Sequence, residues 1–303
     1  MNPTPTPSSS SALGYLLAAG ACMIWAGNFV VAQGLATHIS PVMLAFLRWS
    51  VAALVILPFG ATALWRQRRL LRRHLPYLAL TAFVGVTLFN TLIYVAGETS
   101  SATSMSLIAV SASLFIIFLA WVISGERPTA RKLSGAVLGA CGVVLLLTHG
   151  QPARLRALQF APGDLWMLAA AVLWALYVIL VRHKPSGIEQ PTFLISNIWL
   201  GLALLSPLAL WSSTHGAHVD LSPTIVGAVL YVGIAASVLA YWLWHKAIDL
   251  VGPSNVGMVY YTVPLFSAAE AFIFLGAPLT LDQVFSGLLI IGGVLWASGV
   301  RRR

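Results

Sequence analysis

Asn28 and Asn90 each place a side-chain amide inside a long apolar run. An amide offers both a donor and an acceptor. That is enough to hold a carboxylate or an ammonium group, or simply to tie one helix to another. Thr99, Thr103, Ser106 and Ser113 recur at helical spacing, with Ser100, Ser104 and Ser111 in an adjacent row. Such hydroxyls can line a path for a polar solute, or can permit close helix packing while bonded to their own backbone. Tyr94, Trp174, Tyr177, Tyr241, Tyr260 and Tyr261 could build an aromatic wall that holds flat solutes by stacking and burial. Trp and Tyr also gather at membrane interfaces as anchors, as Trp65 and Trp211 do at the ends of their runs. Two charged side chains interrupt apolar runs. Arg48 lies about 12 Å and Glu270 about 8 Å from the same side at 1.5 Å per residue, so the two can pair or share a network, in a structural role. Alternatively, Glu270 binds a solute amine or a coupling proton. His245, near the end of its run, reads as a solvated interfacial imidazole or as a proton relay. Pro264 falls mid-run, where it frees a carbonyl and bends a helix. Tyr260, Tyr261, Thr262 and Pro264 therefore mark a hinge or a static kink.

The elements that must position these residues are membrane-spanning helices. Of 303 residues, 59% are hydrophobic and 8% charged, and the mean hydropathy is +0.88. Soluble domains carry about 25% charged residues. Apolar runs of about 18 to 24 residues match the length a helix needs to cross the bilayer, and the alternation of a membrane barrel is absent. Ten spans are expected: 12–34, 40–64, 76–97, 100–123, 133–149, 163–182, 190–211, 223–246, 253–275 and 280–300. Residues 1–11, rich in Pro and Ser, read as a disordered cytoplasmic tail without a cleavable signal.

The spans repeat. Gly14, Leu16, Trp25 and Ala26 recur about 150 residues later as Gly163, Leu165, Trp174 and Ala175. Pro41, Leu44 and Trp49 recur as Pro191, Leu194 and Trp199, and Leu114, Phe115, Gly125, Thr129 and Gly142 as Leu265, Phe266, Gly276, Thr280 and Gly293. Residues 12–150 and 151–303 thus form two five-helix repeats of one unit. Because five is odd, each crossing in the second runs opposite to its counterpart, an arrangement common among secondary transporters. Charge gives the orientation. With the N-terminus inside, fourteen of the seventeen Lys and Arg residues fall in inner loops or at the C-terminus, against Arg154 and Arg156 outside. Both termini are therefore expected in the cytoplasm.

The net charge of +9 sits at segment ends rather than on one basic face, so no nucleic-acid partner is expected. Cys22 and Cys141 lie in apolar segments, which argues against a disulfide or a zinc site. No phosphate-binding loop or HExxH motif occurs, and neither an enzyme activity nor a cofactor is expected. His215, His218 and Asp220 have metal-like spacing but lie in a single loop. The glycines Gly135, Gly139 and Gly142, with Gly292 and Gly293, read as a packing seam.

The ordered set of Trp25-Ala26 and Trp174-Ala175, Phe46-Leu47-Arg48-Trp49, Gly125-Glu126-Arg127-Pro128-Thr129, the glycines 135–142, Pro264-Leu265-Phe266, Gly276, Thr280 and Gly292-Gly293 resembles the drug/metabolite transporter superfamily, in its EamA-repeat branch. The resemblance runs from about residue 13 to the end. It departs at Ala277, which stands where the first repeat has Glu126, making any role of that glutamate asymmetric. The resemblance implies a ten-helix bundle around a central cavity formed by spans 1, 3, 4, 6, 8 and 9. It also implies export of a small molecule, an aromatic or neutral amino acid in the nearest branch, across a bacterial cytoplasmic membrane. Membrane lipid is the surrounding partner, and one chain suffices. A multidrug exporter is the alternative within that class, and a membrane enzyme acting on lipids the alternative outside it.

Overall fold

The computed structural model describes residues 9–100, 102–148, 151, 161–216, 219, 222–275 and 281–298. Its helices are α1 (Ser9–Gly34), α2 (Pro41–Arg66), α3 (Arg68–Arg73), α4 (Leu75–Ala82), α5 (Phe89–Gly97), α6 (Ala102–Ser124), α7 (Ala130–Thr148), α8 (Pro162–Arg182), α9 (Gln190–Thr214), α10 (Pro223–Gly233), α11 (Ala240–Val251), α12 (Pro253–Val259), α13 (Val263–Leu275) and α14 (Leu281–Ser298). A π-helical stretch, Phe83–Leu88, joins α4 to α5, and another, Ile234–Leu239, joins α10 to α11. These make two continuous rods, Leu75–Gly97 and Pro223–Val251.

Local chemistry sets the ends. Proline opens α2, α8, α9, α10 and α12, where its missing N–H costs nothing and its φ is already helical. Gly125, at φ +70°, closes α6 in the left-handed conformation, with its N–H on Trp121 O at 3.1 Å. Gly252, at φ +80° and ψ 162°, ends α11 in an extended positive-φ conformation open to glycine. α1 begins at Ser9, inside the segment read from sequence as a tail.

Among the described residues, seven helices or rods are long and apolar enough to cross a membrane, and α14 contributes a shorter apolar stretch, Val284–Ala297. The ninth expected span is divided: α12 and α13 meet at a 3₁₀ turn, Tyr260–Thr262, with Pro264 just beyond it.

The helices pair as two copies of one pattern. α2 packs along α9, and α7 along α14, each helix against its own counterpart. α1 lies against α11 as α8 lies against α5, and α13 meets α1 as α6 meets α8. The α7–α14 contact uses the glycine seam. A Cβ on Gly293 would sit 2.7 Å from Gly135 O and 2.8 Å from Gly139 N, whereas one on Gly292 would meet nothing within 4 Å. Gly293→Ala should therefore cost about 1–3 kcal/mol, the usual cost of overpacking, and Gly292→Ala should be neutral. Thermal unfolding of the two variants in detergent checks the contrast.

Candidate functional site

The two π stretches start 151 residues apart, so they occupy equivalent places in the repeats. A π turn inserts one residue and leaves a carbonyl without its usual helical donor. In both copies the third residue supplies a carbonyl that side chains reach. Gly85 O accepts from Tyr241 OH at 2.9 Å and from Asn90 Nδ2 at 3.3 Å. Ala236 O accepts from Trp25 Nε1 at 2.9 Å and from Arg48 Nη2 at 3.1 Å. Asn90 and Tyr241, themselves equivalent by the same offset, join at 3.0 Å. The sequence pair Trp25 and Trp174 also meets, edge to face, with centroids 5.0 Å apart. Residues that correspond in the two repeats thus converge where the repeats touch.

A void lies at this meeting point, lined by Trp25, Asn28, Phe29, Arg48, Phe89, Asn90, Ile93, Trp174, Tyr241 and Tyr260. It offers about 10 Å³ to the centre of a water-sized sphere, room for about one water molecule. The rings fill the rest. Trp174 stacks on Phe89 at 4.7 Å, and Trp25 also meets Tyr241 and Trp244 at 5.6 and 5.1 Å. A larger space of about 270 Å³ lies between α2, α9 and the second π stretch, but Ile56, Phe59, Leu194 and Trp242 make it apolar. Apart from the Trp242 indole it is lined by no polar side chain, so the central void is the candidate site.

Each end of the void carries a polar cluster. On one side Arg48, 1% exposed, gives Nε to Ser237 Oγ at 2.6 Å and Nη1 to Asn28 Oδ1 at 3.1 Å and Tyr94 OH at 3.0 Å. Tyr94 OH also reaches Asn28 Oδ1 at 3.4 Å. On the other side Tyr177 OH shares a hydrogen bond of 2.7 Å with His245 Nε2, while His245 Nδ1 has no partner among the described residues. The clusters are counterparts. Tyr177 stands three residues after Trp174 as Asn28 stands three after Trp25, and His245 is 151 residues from Tyr94. Tyr177→Phe would strip the imidazole of its single bond, at about 1–3 kcal/mol for an unsatisfied buried group. Adding His245→Leu should recover part of that loss, and a double-mutant cycle of melting temperatures measures it.

The residues singled out from sequence separate into groups. Asn28, Asn90, Trp174, Tyr241 and Tyr260 line the void, and Tyr94 and Tyr177 stand one layer behind it. Tyr261 does not: it faces α7, where a Cβ on Gly139 would touch its ring at 3.2 Å. Successive residues of the 3₁₀ turn point apart, so Tyr260 and Tyr261 serve different surfaces. The hydroxyl row of span four is absent from the lining of the void. Ser111 bonds Ile108 O at 2.6 Å, and Ser100 bonds Asp164. Thr99 lies in the turn before α6 and accepts from Gly163 N at 2.8 Å. Ser104 has a partner, and the side chain of Thr103 lies outside the described residues. Arg48 and Glu270 form no ion pair; four neutral partners hold the arginine instead. His245 is not solvated but fully buried, because its helix continues to Val251, about 9 Å further at 1.5 Å per residue.

Away from the void, Glu126 Oε2 accepts from Ser254 Oγ at 2.8 Å at the start of α12, where a helix N-terminus favours negative charge. Its counterpart Ala277 lies outside the described residues. Lys184 and Asp249 pair at 3.1 Å. His215 Nδ1 bonds Trp211 O at 2.8 Å, and His218 and Asp220 lie outside the described residues.

Residues 12–148 and 161–299 each match the EamA-like transporter family. The chain belongs to this family. An uncharacterised transporter of Archaeoglobus fulgidus is 30% identical to it over 291 residues, 92% of this chain and 95% of its own. A probable amino-acid metabolite efflux pump of Salmonella typhimurium is 26% identical over 90% of both chains. A probable terminal-alkyne amino-acid exporter of Streptantibioticus cattleyicolor is 27% identical over 77% of this chain and 74% of its own. A solved crystal structure superposes with a TM-score of 0.77 at 21% identity, covering 94% of this chain and 96% of that one, which shows a common fold. This EamA-family protein, with its repeated family domain and several membrane-length helices, is an integral multi-pass membrane transporter of small molecules.

Proposed function

We propose that this protein exports aromatic or neutral amino acids across a bacterial cytoplasmic membrane by alternating access. Ten crossings form two inverted five-helix repeats, 12–150 and 151–303, that act as one transport domain, with both termini in the cytoplasm. The observation that carries this reading is the central void. Equivalent residues of the two repeats meet there, aromatic faces surround it, and Asn28, Asn90 and Arg48 supply polar contacts. Trp25, Trp174, Phe89 and Tyr260 suit an apolar or aromatic side chain. The amides suit the polar end of an amino acid. The likeness to the Salmonella amino-acid metabolite efflux pump and the Streptantibioticus amino-acid exporter supports the same class.

Drug-sized ligands occupy pockets of about 300–1,000 Å³, and an amino acid needs far more room than one water. The void must therefore widen for a solute to enter. The 3₁₀ turn ahead of Pro264 lies against the void through Tyr260 and is the natural point of bending. Rearrangement there opens one end while the cluster at the other end stays closed. On the charge rule for membrane orientation, the Arg48 cluster closes the outer end and the Tyr177–His245 pair the cytoplasmic end. An organic-cation exporter fits less well, because Arg48 would repel the cargo.

Purified protein in liposomes, as the sole protein, should exchange labelled phenylalanine and leucine, with tested nucleotide sugars and organic cations failing to compete. Flux of nucleotide sugars or organic cations alone would overturn the assignment. A single chain per liposome should suffice if the monomer is the working unit.

A further inference from the structure

We propose that Arg48 is an anchor for an anionic group, a carboxylate, on the transported solute. This rests on the central void being the transport site, and it names the chemistry that the site selects. A guanidinium has five N–H donors. Four of Arg48's are used, on Ser237 Oγ, Asn28 Oδ1, Tyr94 OH and Ala236 O. All four acceptors are neutral. One Nη2 donor remains, and the positive charge, which also lies 5.1 Å over the Trp49 ring, meets no anion, in a side chain that lines the void and is 1% exposed. A cation kept from water is costly unless an anion meets it. Among the described residues no carboxylate forms an ion pair with Arg48. Glu270 shares an electrostatic neighbour with it, Tyr231, but makes no bond to the guanidinium.

Two further observations point the same way. Arg48 and Tyr94 both donate to Asn28 Oδ1, which fixes the orientation of the amide. The Asn28 NH₂ group then has no protein acceptor among the described residues, and it borders the void beside the free guanidinium donor. Both groups can donate to one carboxylate, one N–H from each. The duplication argues against a purely structural arginine. Trp49 corresponds to Trp199, so Arg48 corresponds to Ile198, which is fully buried. The second repeat builds the same helix around an apolar residue, and its partner carbonyl Gly85 O is satisfied by Tyr241 and Asn90 without a cation. The fold does not require a charge at this position, so the charge is available for recognition.

The test is ligand binding to the purified wild-type protein in detergent, followed by tryptophan fluorescence, since Trp25 and Trp174 border the void. The probes are 3-phenylpropionate, phenylalanine and phenethylamine, which share a ring and differ in the carboxylate and amine. Both carboxylates should bind at least tenfold more tightly than phenethylamine. In Arg48→Gln, which removes the charge, that advantage should shrink at least tenfold, with the melting temperature of the variant recorded alongside. Phenethylamine binding as tightly as 3-phenylpropionate, or no carboxylate binding to the wild type, overturns the proposal, and neither result depends on the variant folding. Failure of the amino-acid reading is separate: 3-phenylpropionate would bind and be displaced by other carboxylates while phenylalanine showed no flux in liposomes.

Discussion

Trp174→Ala should destabilise the protein by about 3–5 kcal/mol, the range for truncating a buried tryptophan, and should reduce flux in liposomes to background. Trp174 is 1% exposed, and its indole is stacked, tilted or edge-on against Trp25, Phe89, Tyr177, Tyr241, Trp244 and Tyr260. Removing it opens a cavity where the two repeats meet and deletes one of the two indoles that line the void. Trp174→Phe separates shape from polarity. The indole Nε1 makes no hydrogen bond, so phenylalanine removes no polar contact. That variant should keep measurable flux and lose much less stability. Thermal unfolding in detergent and counterflow of labelled phenylalanine measure the two effects, and equal loss in both variants would contradict the account.

The second large effect is expected at Gly85. A Cβ there would enter the ring of Tyr177. Tyr177 cannot yield freely, because it is fully buried and its hydroxyl is held by His245. Gly85→Ala should therefore cost about 1–3 kcal/mol or more through overpacking and should displace Tyr177 from His245. The equivalent residue of the second repeat is already alanine, Ala236, in the same place of the same π turn. The sensitivity thus comes from the neighbour and not from the turn. Gly85→Ala combined with Tyr177→Leu should cost less than the two single losses added together, while a loss equal to their sum would remove the steric explanation.

These sites show which parts were open to reading from the chain. The helices and the duplication were plain, because length, hydropathy and repeated Trp-Ala pairs survive without tertiary information. Asn28, Asn90, Tyr241 and Trp174 stood out because amides and aromatic residues are unusual inside apolar runs. Trp25 was visible only as a motif residue. That it repeats as Trp174 was the available signal that both face the centre. The π stretches left no trace, since one inserted residue in an apolar helix changes neither composition nor charge. Without them the carbonyls of Gly85 and Ala236, and with them the partners of Arg48, could not be placed. The expected pairing of Arg48 with Glu270 rested on depth alone. Depth fixes the level of a residue in the bilayer but not the face of the helix it occupies. Phe29, Phe89 and Ile93 were indistinguishable from core residues until packing placed them against the void.

The central claim, that the void opens in turn to both sides of the membrane, is tested most directly by a single cysteine at Ile93. Ile93 lines the void and is 2% exposed. The native Cys22 and Cys141 are first replaced by alanine. A membrane-impermeant maleimide is then applied to oriented vesicles from the inside or from the outside, with and without phenylalanine. The account predicts labelling from each side, slowed by phenylalanine in both cases. Labelling from one side only, or from neither, at a rate that phenylalanine leaves unchanged would contradict it.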